Sequence, residues 1–359
     1  MCESAAADAD HTEAIIAALV EARETQQALY IRGGNSKRHM LGRDCNANTL
    51  DVSPHRGIVD YQPAELVITA RAGTPLAELQ AALAEQRQML PSEPPDFGGH
   101  ATLGGTLASN MSGPARPWRG ATRDSTLGVK LVNGNAELLS FGGRVMKNVA
   151  GYDVSRLQAG ALGTLGVLCE VTLRVVPQPE YSVTLAYELP AAEALARMLE
   201  AAAQAAPLSG ACWIAGKLYL RLSGAASAVR STASRWGGEQ LSDAAAPWAS
   251  LREMTHPFFA GESPLWRLSM NCAAPLGATD ALLIDWGGAQ RWLHGENDAA
   301  ALQAQASAAG GHACLFRGGD RSGAVRAPLD ATQRRIQQKL KHAFDPHGLL
   351  NPGRMYHWL

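Results

Sequence analysis

Apolar residues recur at helical spacing over residues 12–27, where Ile15, Ile16, Leu19 and Val20 share one side of a predicted helix. The run ALYIRGG (28–34) then reads as a short strand entering a glycine turn. A second strand, ELVITARAG (65–73), leads to Thr74 as N-cap, Pro75 at the first helical position, and Leu76, Leu79 and Leu83 on one helix face. This strand–helix–strand order predicts a small parallel unit. Further on, LGVKLV and AELLSF flank Asn133-Gly134, a pair that predicts a hairpin whose central residues both take positive φ. GVLCEVTLRVVP (166–177) alternates Val167, Cys169, Val171, Leu173 and Val175 with Glu170, Thr172 and Arg174, the pattern of a half-buried strand.

Two prolines in PQPEYS (177–182) cannot continue a strand ladder, and the pattern changes after them. An alanine-rich helix, the strand run ACWIAGKLYLRLSG and another strand pattern at ALLIDWGGAQRWL predict a second, α+β domain over 181–359, after a first domain at 1–180. The tail supplies a helix with Ile336, Leu340 and Phe344 on one face, stopped by DPHG. A length of 359 residues agrees with two domains, and 46% hydrophobic with 18% charged residues marks a globular chain. A formal net charge of −1 excludes broad electrostatic steering towards nucleic acid or anionic membrane.

The six cysteines lie far apart with no C-x-x-C pair, which argues against an iron–sulfur or zinc site built from this chain alone and suits a reducing compartment. The acidic start MCESAAADAD lacks the basic region of a signal peptide, and no apolar run approaches the roughly 20 residues of a membrane span. The expected location is the cytoplasm.

Three segments concentrate minimal side chains. YIRGGNSKRHMLG (30–42) places Gly33 and Gly34 before Asn35 and Ser36, so that successive backbone N–H groups can converge on an oxyanion; a tight structural turn is the alternative. ATLGGTLASNMSG (101–113) offers Thr102, Thr106, Ser109 and Asn110 as hydrogen-bonding groups beside Gly104 and Gly105, which admit a ligand close to the backbone. RLQAGALGTLGVL (156–168) spaces Gly160, Gly163 and Gly166 three apart before a strand. None of these is a G-x-G-x-x-G or P-loop signature, which disfavours a Rossmann oxidoreductase or a P-loop ATPase. An extended cofactor lying across the first domain accounts for all three.

Together with the tail FDPHGLLNPGRMY, these segments resemble the vanillyl-alcohol-oxidase, or PCMH-type, FAD-binding domain, and within that superfamily the FAD-binding subunits of bacterial glycolate oxidases. TLDVSPHRGIVDYQPAELVITARAGTPLAELQAALAEQRQMLPSEPP and LLIDWGGAQRWL carry the narrower likeness. The resemblance implies an FAD-binding domain of two α/β subdomains followed by a C-terminal α+β domain with an antiparallel sheet. It assigns Arg32, Gly33, Gly34, Asn35 and Ser36, with Thr102, Leu103, Gly104 and Gly105, to the FAD pyrophosphate. Ala108, Ser109 and Gly113 match positions along the dinucleotide and flavin edge, and Gly160, Gly163, Thr164, Gly166 and Val167 match the segment near the adenosine and ring system. Pro91 precedes the stretch that approaches the flavin. Two departures stand out. Leu162 replaces the family's acid in GALGTLG, and Asn35 follows Gly34 where a linking histidine is familiar, so FAD is expected to be non-covalent.

The H-x-G-D-G-N-x-H metal motif of related 2-hydroxy-acid dehydrogenases is also missing; GGHACLFRGGD supplies only His312 and Asp320, and no metal site is expected. Oxidising an α-hydroxy acid requires a cation for the carboxylate and a base for the hydroxyl proton. Arg116, Arg119, Arg123 and Arg354 are the available cations, and His312 and His347 the weak candidates for the base. Two functions stay open. One is a catalytic subunit oxidising glycolate or D-lactate to the 2-oxo acid; the other is a flavin-carrying subunit supporting a sister active site. Either implies a complex with a second flavoprotein subunit and an iron–sulfur subunit, or transfer to a quinone, with membrane association only through those partners. Trp118, Trp266, Trp286, Trp292 and Trp358 are read as core rather than interface.

Overall fold

Two antiparallel sheets, of five and eight strands, organise the two halves of the computed structural model, which describes residues 9–143, 153–277 and 282–359. The N-terminal half runs α1 (Thr12–Thr25), β1 (Leu29–Arg32), β2 (Asn48–Asp51), β3 (Ile58–Gln62), β4 (Val67–Arg71), α2 (Leu76–Glu85), β5 (Gln88–Met89), α3 (Leu103–Ser109), α4 (Arg116–Arg119), α5 (Thr122–Ser125), β6 (Thr126–Val132), β7 (Leu138–Gly142), α6 (Val154–Leu157), β8 (Val167–Arg174) and β9 (Val176–Pro177). β3-β4-β8-β6-β7 form one sheet, antiparallel throughout. Leu76, Leu79 and Leu83 of α2 and Leu103 and Leu107 of α3 pack on one face of it, against Ile68, Val129 and Leu173. Ile15 and Leu19 of α1 cover the other face, against Val132, Val167 and Cys169.

The expected parallel unit is only partly right. β1 and β2 do pair in parallel, but a loop rather than a helix joins them, and the larger sheet contains no parallel pair among the described residues. The α2 cap also differs: Pro75 holds the N-cap position, while the Thr74 hydroxyl accepts the Gly57 N–H at 3.0 Å. β8 is central and covered on both faces, so Leu168 and Cys169 are both buried and the strand is not half-exposed. β6 and β7 make the expected hairpin, yet Ala136 takes the left-handed φ of 63°. Gly134 serves a different purpose: its N–H donates to the Phe344 carbonyl, and a Cβ there would overlap Asp345.

The C-terminal half contains β10 (Tyr181–Glu188), α7 (Ala191–Ala202), β11 (Leu208–Ile214), β12 (Lys217–Gly224), α8 (Ala226–Trp236), β13 (Glu239–Gln240), α9 (Ala246–Arg252), β14 (Leu265–Ser269), β15 (Leu282–Asp285), β16 (Gln290–His294), α10 (Ala299–Ala308), β17 (His312–Arg317) and α11 (Ala331–Phe344). Its strands order as β13-β10-β12-β11-β15-β16-β14-β17, with every pair antiparallel. One face packs on α7, α8 and α10. From the other, Leu265, Trp292 and Phe316 reach Leu41 and Met111 of the N-terminal half. Trp266, Trp286 and Trp292 are buried, whereas Trp358 stacks on Tyr356 with centroids 5.1 Å apart.

The tail returns to the N-terminal half. The Leu29 N–H donates to the Leu349 carbonyl at 2.7 Å, and Leu349 and Leu350 join the core around α1. α11 is anchored by a polar group, contrary to the apolar face expected of it: Ile336 is 50% exposed, while Lys341 Nζ is buried against Asp345 (2.6 Å) and the Thr164 and Leu350 carbonyls. No helix among the described residues is long and apolar enough to cross a membrane.

Candidate functional site

The three side-chain-poor segments converge on one cleft that opens to solvent. Arg32, Gly33, Gly34, Asn35 and Ser36 form one wall, Thr102, Gly104, Gly105, Ala108 and Ser109 a second, and Gly163 and Gly166 a third. The walls are fitted to each other. A Cβ on Gly34 would overlap the His100 carbonyl oxygen and one on Gly33 would crowd the Thr102 hydroxyl, so glycine is required where these loops touch. Thr102 caps α3 by accepting the Gly105 N–H at 3.3 Å.

The donors left over define what the cleft can hold. Among the described residues, the backbone N–H groups of Gly33, Gly34, Asn35, Ser36 and Lys37 have no protein acceptor. Asn35 sits at φ 57°, the left-handed position that lets neighbouring amides converge in an anion-binding nest. Five unsatisfied amides in a solvent-open cleft fit an extended oxyanion such as a pyrophosphate. Small side chains along the α3 wall leave room for planar groups.

Among the lining residues that sequence reasoning missed are Lys37, Arg38 and Asn351. Lys37 follows the glycine turn, with Nζ 3.2 Å from Ser36 Oγ and 5.2 Å from the Phe97 ring centroid. Burial pushes its ammonium down to about 8, and the Asp96 and Glu253 charges offset only part of this. Arg38 lies over the Tyr30 ring. Asn351 cross-links the walls, accepting the Ile31 N–H at 2.7 Å and donating to the Leu162 carbonyl at 2.6 Å. Its signal was present in the NPG tail, and that of Lys37 in its place directly after the turn. Leu162, the departure from the family's acid, lines the cleft with a left-handed φ of 52°.

Other expected residues stand behind the cleft. Leu103 and Val167 belong to the cores around it, and Pro91 is buried one residue before Ser92. Gly113 donates its N–H to the Ser92 carbonyl at 2.8 Å and accepts from Trp286 Nε1 at 3.1 Å. Gly160 donates to the Leu107 carbonyl, and the Thr164 hydroxyl donates to that of Ala161 at 2.7 Å. Arg354 does line the cleft, but its guanidinium donates to the carbonyls of Lys37, Arg38, Met40 and Arg43, clamping the loop from behind. Arg116 lies over the Trp286 ring at 4.4 Å. His347 is in an exposed turn after α11, and His312 opens β17 beside a different cavity. Asp320 accepts from the Ser322 N–H and hydroxyl, and among the described residues no three His, Cys, Asp or Glu side chains converge on a metal position.

A sequence model of FAD binding domains matches residues 4–142. The glycolate oxidase subunit GlcE of Escherichia coli (strain K12) is 45% identical over 97% of this chain and 98% of its own length. The D-2-hydroxyglutarate dehydrogenase of Xanthomonas citri pv. viticola is 34% identical over 40% of this chain and 30% of its own length. The glycolate oxidase subunit GlcD of Bacillus subtilis (strain 168) is 32% identical over 36% of this chain and 27% of its own. Alkyldihydroxyacetonephosphate synthase superposes with a TM-score of 0.64 over 96% of this chain and 75% of its own, at 14% identity, which establishes the fold alone.

Fold, cleft and relatives place the chain in a family of FAD-dependent 2-hydroxy-acid oxidoreductases with the PCMH-type FAD-binding fold. Within that class, the chain belongs to the family of the glycolate oxidase subunit GlcE.

Proposed function

We propose that the chain is the FAD-binding subunit of a heteromeric glycolate oxidase, with residues 1–180 holding the cofactor non-covalently and 181–359 covering it. The observation that carries this is the convergence of three glycine-rich segments on one cleft with five backbone amides left unpaired. Those amides would receive the pyrophosphate, Lys37 would balance its charge, and Asn351 and Arg354 keep the surrounding loops in place. When bound, FAD supplies the two-electron acceptor for the α-carbon hydrogen of glycolate or D-lactate. The electrons would leave through a second flavoprotein subunit and an iron–sulfur subunit, or to a quinone.

One observation favours a second function, that of a flavin-holding subunit beside a sister active site: His312 and His347 lie outside the cleft, and Lys37 is the one near-neutral base among its described lining residues. Anaerobic addition of glycolate or D-lactate to the flavin-loaded chain separates the two. Bleaching of the flavin absorbance supports oxidation by this chain; an unchanged spectrum, with bleaching restored by the partner subunits, supports the second. A purified chain that takes up no flavin would refute both.

A further inference from the structure

A second cavity lies at the edge strand β17, between it, α10 and the segment leading into α11. It shares no lining residue with the FAD cleft, and the loop ending at Leu41 separates the two. Its polar lining consists chiefly of Arg267, Arg326, His312, Gln303, Gln333 and Tyr356, with no carboxylate side chain among the lining residues. The nearby Asp330 is engaged as the N-cap of α11, its Oδ1 accepting the Gln333 N–H at 2.8 Å.

Strand register places Arg267 and His312 side by side on one wall. Arg267 pairs with Cys314 and Ser269 with His312, so Arg267 and His312 project from the same face of adjacent strands. Arg326 approaches from the opposite wall and, among the described residues, spends only Nε, donating to the Leu41 carbonyl at 3.2 Å. Arg267 stacks over the Phe316 ring, and its Nε is buried without a hydrogen-bond partner among the described residues. Neither guanidinium is ion-paired among the described residues. Burial and the charges of Arg267, Arg326 and Arg116 push the His312 imidazole below its ordinary range. Half-buried cations without a counter-charge carry a desolvation cost, and an oxyanion between the two guanidinium groups would offset it with fork-shaped hydrogen bonds.

We propose that this cavity is a second anion site, taking a small oxyanion, carboxylate or phosphate, between the guanidinium groups of Arg267 and Arg326. The proposal does not depend on FAD occupying the cleft. It is tested by isothermal titration of the flavin-loaded chain with oxalate, glycolate and inorganic phosphate in a buffer free of competing anions. Saturable one-site binding, weakened at least tenfold in Arg267→Gln and in Arg326→Gln, is expected. Tighter binding of oxalate or glycolate identifies a carboxylate source, and tighter binding of phosphate a phosphoryl one. His312→Gln keeps both guanidinium groups and is expected to retain binding with a smaller loss, which covers the case in which an arginine variant fails to fold. Absence of saturable heat overturns the proposal. So does binding that survives Arg267→Gln and Arg326→Gln but disappears in Lys37→Met, which would place the anion in the FAD cleft.

Discussion

If Lys37 faces the FAD pyrophosphate, flavin affinity must depend on pH in a way that its position dictates. In the free protein burial holds the ammonium at about 8, against an ordinary value of 10.5. A neighbouring pyrophosphate restores the preference for the charged form, so binding takes up a proton wherever the free lysine is neutral and the bound one charged. Full restoration corresponds to 2.5 pH units, the difference between 10.5 and 8. At 1.36 kcal/mol per unit this is about 3 kcal/mol, or roughly 300-fold in affinity. The sign is fixed: affinity is flat below pH 8 and falls towards a limit of tenfold per unit up to 10.5. The same linkage acts on the flavin-free chain with opposite consequence. Its folded state binds fewer protons than the unfolded state between these pH values, so its stability rises as the buried ammonium is lost. Quenching of flavin fluorescence between pH 6 and 10 measures the affinity, and calorimetry in two buffers of different ionisation enthalpy counts the proton. Lys37→Met is expected to bind more weakly at pH 7 and to lose the slope above pH 8. An unchanged slope in that variant, or none in the wild type, would refute the placement of Lys37 at the phosphates.

Three further outcomes follow from packing and burial. Gly34→Ala drives a methyl group into the His100 carbonyl, so the two loops must part; flavin affinity is expected to fall at least tenfold, with a loss of about 1–3 kcal/mol in urea unfolding. Burial pushes the Asp285 carboxyl up to about 7 from 3.8, so the folded state holds a proton that the unfolded state has lost. Stability is therefore fullest below pH 4 and declines as pH rises towards 7, a decline that Asp285→Asn should remove from the pH dependence of the unfolding midpoint. Lys341→Met leaves the buried Asp345 carboxylate without its 2.6 Å partner and is expected to cost about 3–5 kcal/mol, part of it recovered in the double variant with Asp345→Asn. Equal losses in the single and double variants would contradict the ion-pair explanation.

The extent to which the site was legible in the sequence depended on how local its causes are. Glycine turns beside strands announce themselves because a missing side chain is visible without tertiary information, and Gly33, Gly34, Gly104, Gly105, Gly163 and Gly166 do line the cleft. Gly113 and Gly160 carry the same signal for another reason, close backbone packing and turn geometry, and only the assembled walls distinguish the two. The cations were harder to place. Arginine after a loop looked like a substrate clamp, yet Arg354 spends its donors on the carbonyls of the loop it braces. Hydrogen bonding across more than three hundred residues of sequence leaves no periodic trace.

Periodicity failed for the same physical reason in β8 and in α11. The 166–177 alternation fits a sheet with one wet face, but α1 and the returning tail cover that face of β8, so polarity was a poor guide to burial there. In α11 the apolar stripe through Ile336 meets solvent, and the helix is fixed instead by one lysine satisfied by a carboxylate and two carbonyls. That anchor links the two halves of the molecule. Lys341 holds the Thr164 carbonyl in the third glycine segment, Asp345 accepts the Leu349 and Leu350 N–H groups, and Asn351 then reaches Leu162 and Ile31 on two walls of the cleft. A tail that sequence reasoning assigned to the second domain thus determines the geometry of the first, because the loops that would grip the cofactor have little side-chain mass with which to hold one another.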